Sequence, residues 1–376
     1  MNKDSGFRVL LILGATVLVI TGIKHSADFF VPVMLALFIA TISYPITEWL
    51  RRHKVPSFFA VLLTVLVDFA FLIGLAMIAF SLLGDLDHKL TETYYPLMQS
   101  KIDETSTFIT ETMTRMGYKD AEKTVQLYFN NLWKEQLAKL EIQKVLTLSG
   151  GVLGKIAAFL GTTFIVLILT IFMLSEARQF GRRFQAIFEA RGPNFEGMLA
   201  AAKDVQRFLG IKTLVSLVTG LVAGLLCKLC GLDFYILWGI VAFTLNFIPV
   251  VGSIIAGIPP IILAILAYDL PRGLIVGIGY ITINTLVGNV LEPSLLGRRF
   301  GLSTLVVIIS VFFWGWLWGP AGMLLAVPMT MILKVAVDHS YEFQWLAVAI
   351  TSDKKKKKKY EELDEELPIG SDTESA

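Results

Sequence analysis

YILWGIVAFTLNFIPVVGSIIAGIPPIILAILAY, residues 235–268, is a run of 34 positions without a single charged side chain. As one straight helix it would be about 51 Å long, against about 30 Å of hydrocarbon in a bilayer, so it is too long for one crossing. It is also interrupted, at Asn246-Phe247-Ile248-Pro249 and at Gly252-Ser253. Proline inside a helix removes a hydrogen bond and clashes with the preceding turn, which breaks or kinks it. GLSTLVVIISVFFWGWLWGPAGMLLAVPMTMILK, residues 301–334, has the same length and carries Gly319-Pro320 and Gly322 near its middle. Each stretch reads as two short helices that enter a membrane and turn back to the side they came from.

The rest of the chain agrees with that environment. Of its 376 residues, 55% are hydrophobic and 17% charged, and mean hydropathy is +0.67; a soluble domain carries about 25% charge. Apolar blocks at 58–83 and 152–174 are long enough to cross. Shorter blocks at 9–23 and 29–43 read as a tight helical hairpin, and further crossings fall at 208–231 and 272–291. The expected fold class is therefore all-α: a polytopic membrane protein with roughly six spanning helices plus two re-entrant, broken hairpins. Lys3 and Arg8 precede the first apolar run without an Ala-x-Ala cleavage site, as in a retained first helix. Cys227 and Cys230 lack a βαβ context and further metal ligands, so they read as packing residues.

Charge placement orients the chain. Basic residues cluster at Arg51-Arg52-His53-Lys54 and again at Arg178, Arg182, Arg183, Arg191, Lys203 and Arg207. Short loops rich in Lys and Arg stay cytoplasmic. With the N-terminus inside, both clusters lie inside and the polar segment 84–150 lies outside. That segment carries Val125, Tyr128, Leu132, Leu137 and Leu140 at helical spacing, the mark of an amphipathic extramembrane helix. If residues 235–268 and 301–334 were single crossings, Arg298 and Arg299 would lie outside; as hairpins they place both arginines and the C-terminus inside. The tail, with lysines at 354–359 followed by an acidic run, lacks the apolar content to fold. The units expected are 1–83 (membrane helices), 84–150 (extramembrane insertion), 151–207 (span and basic connector), 208–334 (transport core) and 335–376 (cytoplasmic tail). The core then runs span, hairpin, span, hairpin, starting from opposite sides. Such an inverted repeat places a substrate site where broken helices meet at mid-membrane.

Candidate residues follow from that plan. Asp68 lies inside a span, where an ionisable group is expensive; it either carries a proton or cation or bonds a neighbouring helix. Asn284, Asn289 and Glu292 share one span, and Asn289 and Glu292, three apart, share a helical face. Glu292 precedes Pro293, so it is either a gate or coupling residue or a helix-end charge paired with Arg298 or Arg299. Asn246, Pro249, Gly252 and Ser253 form the first tip, and Gly319, Pro320 and Gly322 the second; half-helix ends there offer N–H groups to an anionic or polyhydroxyl ligand. Lys212, Thr213, Ser216, Thr219, Gly220 and Gly224 make a polar, small-residue stripe in which the glycines serve packing and Lys212 snorkels to the interface.

Asn246-Phe247-Ile248-Pro249-Val250-Val251-Gly252-Ser253, Gly288-Asn289-Val290-Leu291-Glu292-Pro293, Gly301-Leu302-Ser303-Thr304-Leu305, Trp314-Gly315, Gly319-Pro320-Ala321-Gly322-Met323 and Val327-Pro328 resemble the autoinducer-2 exporter family of bacterial transporters. The similarity is dense over 205–340. It implies a secondary transporter of the inner (plasma) membrane and a homo-oligomer, with either export of the autoinducer-2 signal or sodium/proton antiport. No cofactor is expected, the partners being the bilayer and a small polar solute or cation. A net charge of +2 gives no bulk attraction to nucleic acid. The four histidines (25, 53, 88, 339) lie outside the central spans, and no HExxH or GxxxxGK[ST] occurs, which argues against an intramembrane enzyme or an ATP-driven pump. A non-transporting scaffold would not need broken helices.

Overall fold

A computed structural model describes residues 3–118, 160–177, 196–296 and 303–338, with 123, 125, 127 and 179 besides. Among these residues every regular element is a helix, and six helices are long and apolar enough to cross a membrane. The expectations for Arg182, Arg183, Arg191, Arg298, Arg299, the stripe from Tyr128 to Leu140 and the lysine tail lie outside the described residues.

The chain opens with α1 (Lys3–His25) and α2 (Ala27–Arg52). The tight hairpin expected here is a bend instead. Ser26 is the only non-helical residue between them, and helical hydrogen bonds run through it, from its own N–H to Gly22 O and from Phe30 N–H to its carbonyl. The third helix, α3 (Ser57–Lys89), is 33 residues long and passes the boundary expected at residue 83. It continues through a π-helical turn (Leu90–Tyr94) into α4 (Tyr95–Arg115), so the described part of the insertion is a helical arm. Next comes α5 (Leu160–Ala177). It packs Leu167 and Leu174 against Ala40 of α2 and Val61 and Val65 of α3. Buried hydroxyls also tie α2 to α3, Thr47 donating to Thr64 at 3.0 Å.

The core is built on α6 (Glu196–Leu229). After it, α7 (Tyr235–Leu245) and α8 (Val251–Ala267) form the first hairpin. Glycines set its approach to α6: a Cβ on Gly220 would lie 2.7 Å from the Gly239 carbonyl oxygen and 2.7 Å from the Phe243 Cβ. Gly224 faces the Tyr235 carbonyl in the same seam, the small-residue contact by which membrane helices pack closely. Then α9 (Leu270–Asn284) runs on as a π-helical segment (Thr285–Leu291) and the short α10 (Glu292–Leu296).

The last element, α11 (Thr304–Asp338), doubles back on itself. Trp318 (φ −127°, ψ 16°) and Gly319 (φ 63°, ψ −147°) leave the helix. The Trp314 indole N–H donates to the Thr330 hydroxyl at 3.1 Å across a separation of 16 residues. On a straight helix those residues would be about 24 Å apart. This is the second hairpin.

The two hairpins open at opposite ends of α6. The first has its mouth beside the end of α6, where the Tyr268 hydroxyl donates to the Gly231 carbonyl. The second packs Val307, Val327 and Met331 against Phe208 and Leu209, near the beginning of α6. Where they meet, Ile248 and Val251 of the first touch Val311, Met323 and Ala326 of the second. The span–hairpin–span–hairpin order read from the sequence is therefore realised as an inverted pair.

Candidate functional site

One face of α6 gathers the polar groups of the core. Lys212 is 5% exposed. Its ammonium bonds both carboxylate oxygens of Glu292, at 2.9 Å and 2.8 Å. One turn on, fully buried Ser216 accepts a hydrogen bond from the Asn246 side-chain amide at 3.0 Å. A further turn leads to Thr219 and the Gly220 seam. Thus Lys212, Ser216 and Gly220, four residues apart, hold in turn the α9–α10 junction, the first hairpin tip and the body of α7. A charge pair out of water is costly unless both partners are present and well hydrogen-bonded, and here each answers the other.

The route by which Glu292 reaches Lys212 lies in the π-helical segment. Bonding of i→i+5 type widens the turn and changes which residues share a face; such bulges concentrate at functional sites. Asn289 and Glu292 therefore part company. Asn289 is exposed on the outer side, whereas Glu292 is half-buried and turned to Lys212. The shared face expected from α-helical spacing is corrected accordingly. Asn284, before the segment, is half-buried. Among the described residues the partner of Glu292 is Lys212, which is buried and does not snorkel; the pairing expected with Arg298 or Arg299 lies outside the described residues.

Both tips are strained main chain. Pro249-Val250-Val251 is a tight γ-turn: Val251 N–H bonds the Pro249 carbonyl at 2.6 Å, with Val250 at φ 63° and ψ −58°. A β-branched residue at positive φ is a genuine outlier, and the positive-φ γ-turn is the rare, strained form. In the second tip Gly319 takes a combination of φ and ψ that essentially only glycine adopts, with exposed Pro320 after it. Each return leg then seats a glycine on the other leg. A Cβ on Gly252 would fall on the Leu245 carbonyl oxygen, 2.7 Å from its carbon and 3.1 Å from the Ile248 Cβ. A Cβ on Gly322 would fall on the Trp314 carbonyl oxygen, 2.7 Å from its carbon and 3.1 Å from the Trp318 Cβ. The halves share this device without sharing sequence. Ser253, just past Gly252, turns its hydroxyl back to the Val250 carbonyl at 3.2 Å.

Asp68 belongs elsewhere. It lies on α3 beside α2, where one carboxylate oxygen meets the Ser43 hydroxyl and Oδ2 has no hydrogen-bond partner. The structure thus brings together Asn246, Pro249, Gly252 and Ser253 at the first tip, Gly319 and Pro320 at the second, and Glu292 with Lys212 on the facing helices, leaving Asp68 and Asn289 outside that grouping. Sequence reasoning noticed Lys212 and Ser216 as a stripe but assigned them no partner. The signal was their four-residue spacing on an otherwise apolar helix. Val250 carried no signal, since valine ordinarily avoids that conformation.

A helical membrane protein whose paired, oppositely opening hairpins meet beside a buried ion pair has the build of a transporter core. The chain belongs to the AI-2E transporter family: the AI-2E family transporter pattern matches residues 10–342. It is 34% identical to the AI-2 transport protein TqsA of Escherichia coli (strain K12), over 92% of this chain and 96% of that protein. A putative transport protein of Haemophilus influenzae is 34% identical over 90% of this chain and 94% of its own. The putative transport protein YhhT of Escherichia coli is 30% identical over 92% and 95%.

Proposed function

We propose that the protein is a secondary transporter that exports a small polar signal molecule of the autoinducer-2 type. The observation that supports this most is the meeting of two half-helix tips beside the buried Lys212–Glu292 pair. The positive ends of the half-helix dipoles at the two tips favour an anionic or hydroxyl-rich solute, and Asn246, Asn284 and Ser253 add side-chain polarity. The relative named as an AI-2 transport protein supports the same substrate class. Glu292, Gly252, Gly319 and Pro249 shape the path, and the family resemblance brings with it a homo-oligomer in the bacterial inner membrane.

A second reading, sodium/proton antiport, is favoured by two observations: a carboxylate facing a lysine inside the membrane, and Asp68 apart from it, are groups that a cation or proton can exchange on. Flux in proteoliposomes of the purified protein separates the two. The first predicts movement of autoinducer-2 without Na⁺/H⁺ exchange; exchange without autoinducer-2 movement would replace it with the second.

Orientation is proposed from the end of the bundle that carries Arg51, Arg52, Lys54 and Arg207, which the positive-inside tendency places in the cytoplasm. In a background without Cys227 and Cys230, an impermeant thiol reagent added to intact cells should label Ser106→Cys on the arm and spare Ser294→Cys. Labelling at 294 would reverse the assignment.

A further inference from the structure

The helical arm grips both legs of the first hairpin at its mouth. On the entering leg, Lys89 Nζ lies 2.8 Å from Asp233 Oδ2, and the Tyr94 hydroxyl donates to the same oxygen at 2.7 Å. These two partners hold the Asp233 carboxyl below the usual carboxylate range. On the returning leg, Lys101 Nζ donates to the Ile265 carbonyl at 2.9 Å and the Tyr268 carbonyl at 2.6 Å. Those carbonyls end α8, where the last turn lacks intrahelical partners and carries the negative end of the helix dipole, so a cation there is favoured. Between the two grips, Tyr94 is 4% exposed and belongs to one apolar cluster with Leu232 and Trp238 of the entering leg and Ala264 of the returning leg. Tyr94 also ends the π-helical turn, an irregularity that sets where its ring points.

We infer that residues 89–101 form the gate on the hairpin-1 side of the transport core, with Tyr94 as the wedge and Lys89 and Lys101 as the two straps. The inference rests on the reading that the first tip lines the solute path. A solute leaving past that tip toward the arm meets a mouth whose returning leg is tied by Tyr268 to Gly231 at the end of α6 and whose two legs are tied to the arm by three side chains. Opening requires the arm to lift or the legs to part. Lys89, Tyr94 and Lys101 are then positioning residues: they act through the hairpin and touch no solute in the closed state.

The test uses the full-length protein in liposomes, with Cys227 and Cys230 replaced by alanine and Ser253→Cys as a reporter at the first tip. An impermeant thiol reagent is supplied on the side of the membrane where the arm lies. Lys101→Met should raise the labelling rate about tenfold, within the range of coupling between distant sites, and Lys101→Arg should restore it. Tyr94→Phe, which keeps the ring and loses the bond to Asp233, should raise it less than Lys101→Met. In a second arrangement, Lys89→Cys and Asp233→Cys are joined by a short, reducible bifunctional thiol reagent, which should stop flux until reductant is added. Unchanged labelling in Lys101→Met together with undiminished flux in the joined protein would overturn the gate. Labelling does not depend on which solute moves, so a failed substrate assignment leaves this result readable.

Discussion

Glu292→Gln is expected to abolish transport and lower thermal stability, because it leaves the Lys212 ammonium buried without a counter-charge. Lys212 contacts both carboxylate oxygens and is 5% exposed, so water does not replace the lost partner. Breaking a buried pair from one side costs about 3–5 kcal/mol, far above the 0–1 kcal/mol of an exposed one. Lys212→Met should be as damaging, leaving the carboxylate unpaired. The double change Lys212→Met with Glu292→Met removes both charges, and apolar replacement of a buried pair is often neutral or stabilising. Its melting temperature should therefore recover toward wild type. Its flux should not, if the pair takes part in coupling. Melting curves in detergent and flux in liposomes give the two readouts. Normal flux, normal pH dependence and normal expression in Glu292→Gln would make the glutamate purely structural.

The second large effect is expected at the tips. Gly252→Ala and Gly322→Ala should each collapse transport, although alanine is ordinarily the better helix former. The reason is position: at both sites the added methyl would occupy the place of a main-chain carbonyl oxygen, of Leu245 and of Trp314. A flexible side chain yields to a neighbour; a carbonyl moves only if the leg moves. Overpacking costs about 1–3 kcal/mol where side chains can adjust, and the cost here should sit at the top of that range or above it. Gly210→Ala is the matched control, since a Cβ there meets nothing within 4 Å. It should keep flux and gain slightly in stability. Equal behaviour of Gly210→Ala and Gly252→Ala would show that the first hairpin is loose enough to absorb the methyl and that its tip is not a fixed part of the path.

Much of this architecture was legible before any coordinates. Runs of 34 residues, one without charge and the other charged only at its closing Lys334, with Pro and Gly at their middles, are too long for one crossing and too broken for one helix, so hairpins followed from length and from the chemistry of proline. Gly220 and Gly224 announced a close helix contact by spacing alone. What stayed hidden was pairing over distance. Lys212 and Glu292 are 80 positions apart, and Lys101 and Tyr268 are 167 apart; a single chain's sequence carries no trace of which side chains converge. Local irregularity was hidden as well. The π-helical segment turned Glu292 inward and Asn289 outward, against the α-helical spacing on which their shared face was expected. Val250 took a backbone conformation that its own preferences oppose, held there by Pro249 and by Gly252 seated on Leu245. Sequence determined the environment, the helices and the places where they break, because these follow from hydrophobicity and from local backbone sterics. Tertiary structure alone decided which charges meet, which faces turn inward and which mouth the arm closes, because those depend on packing free energies that no local segment contains.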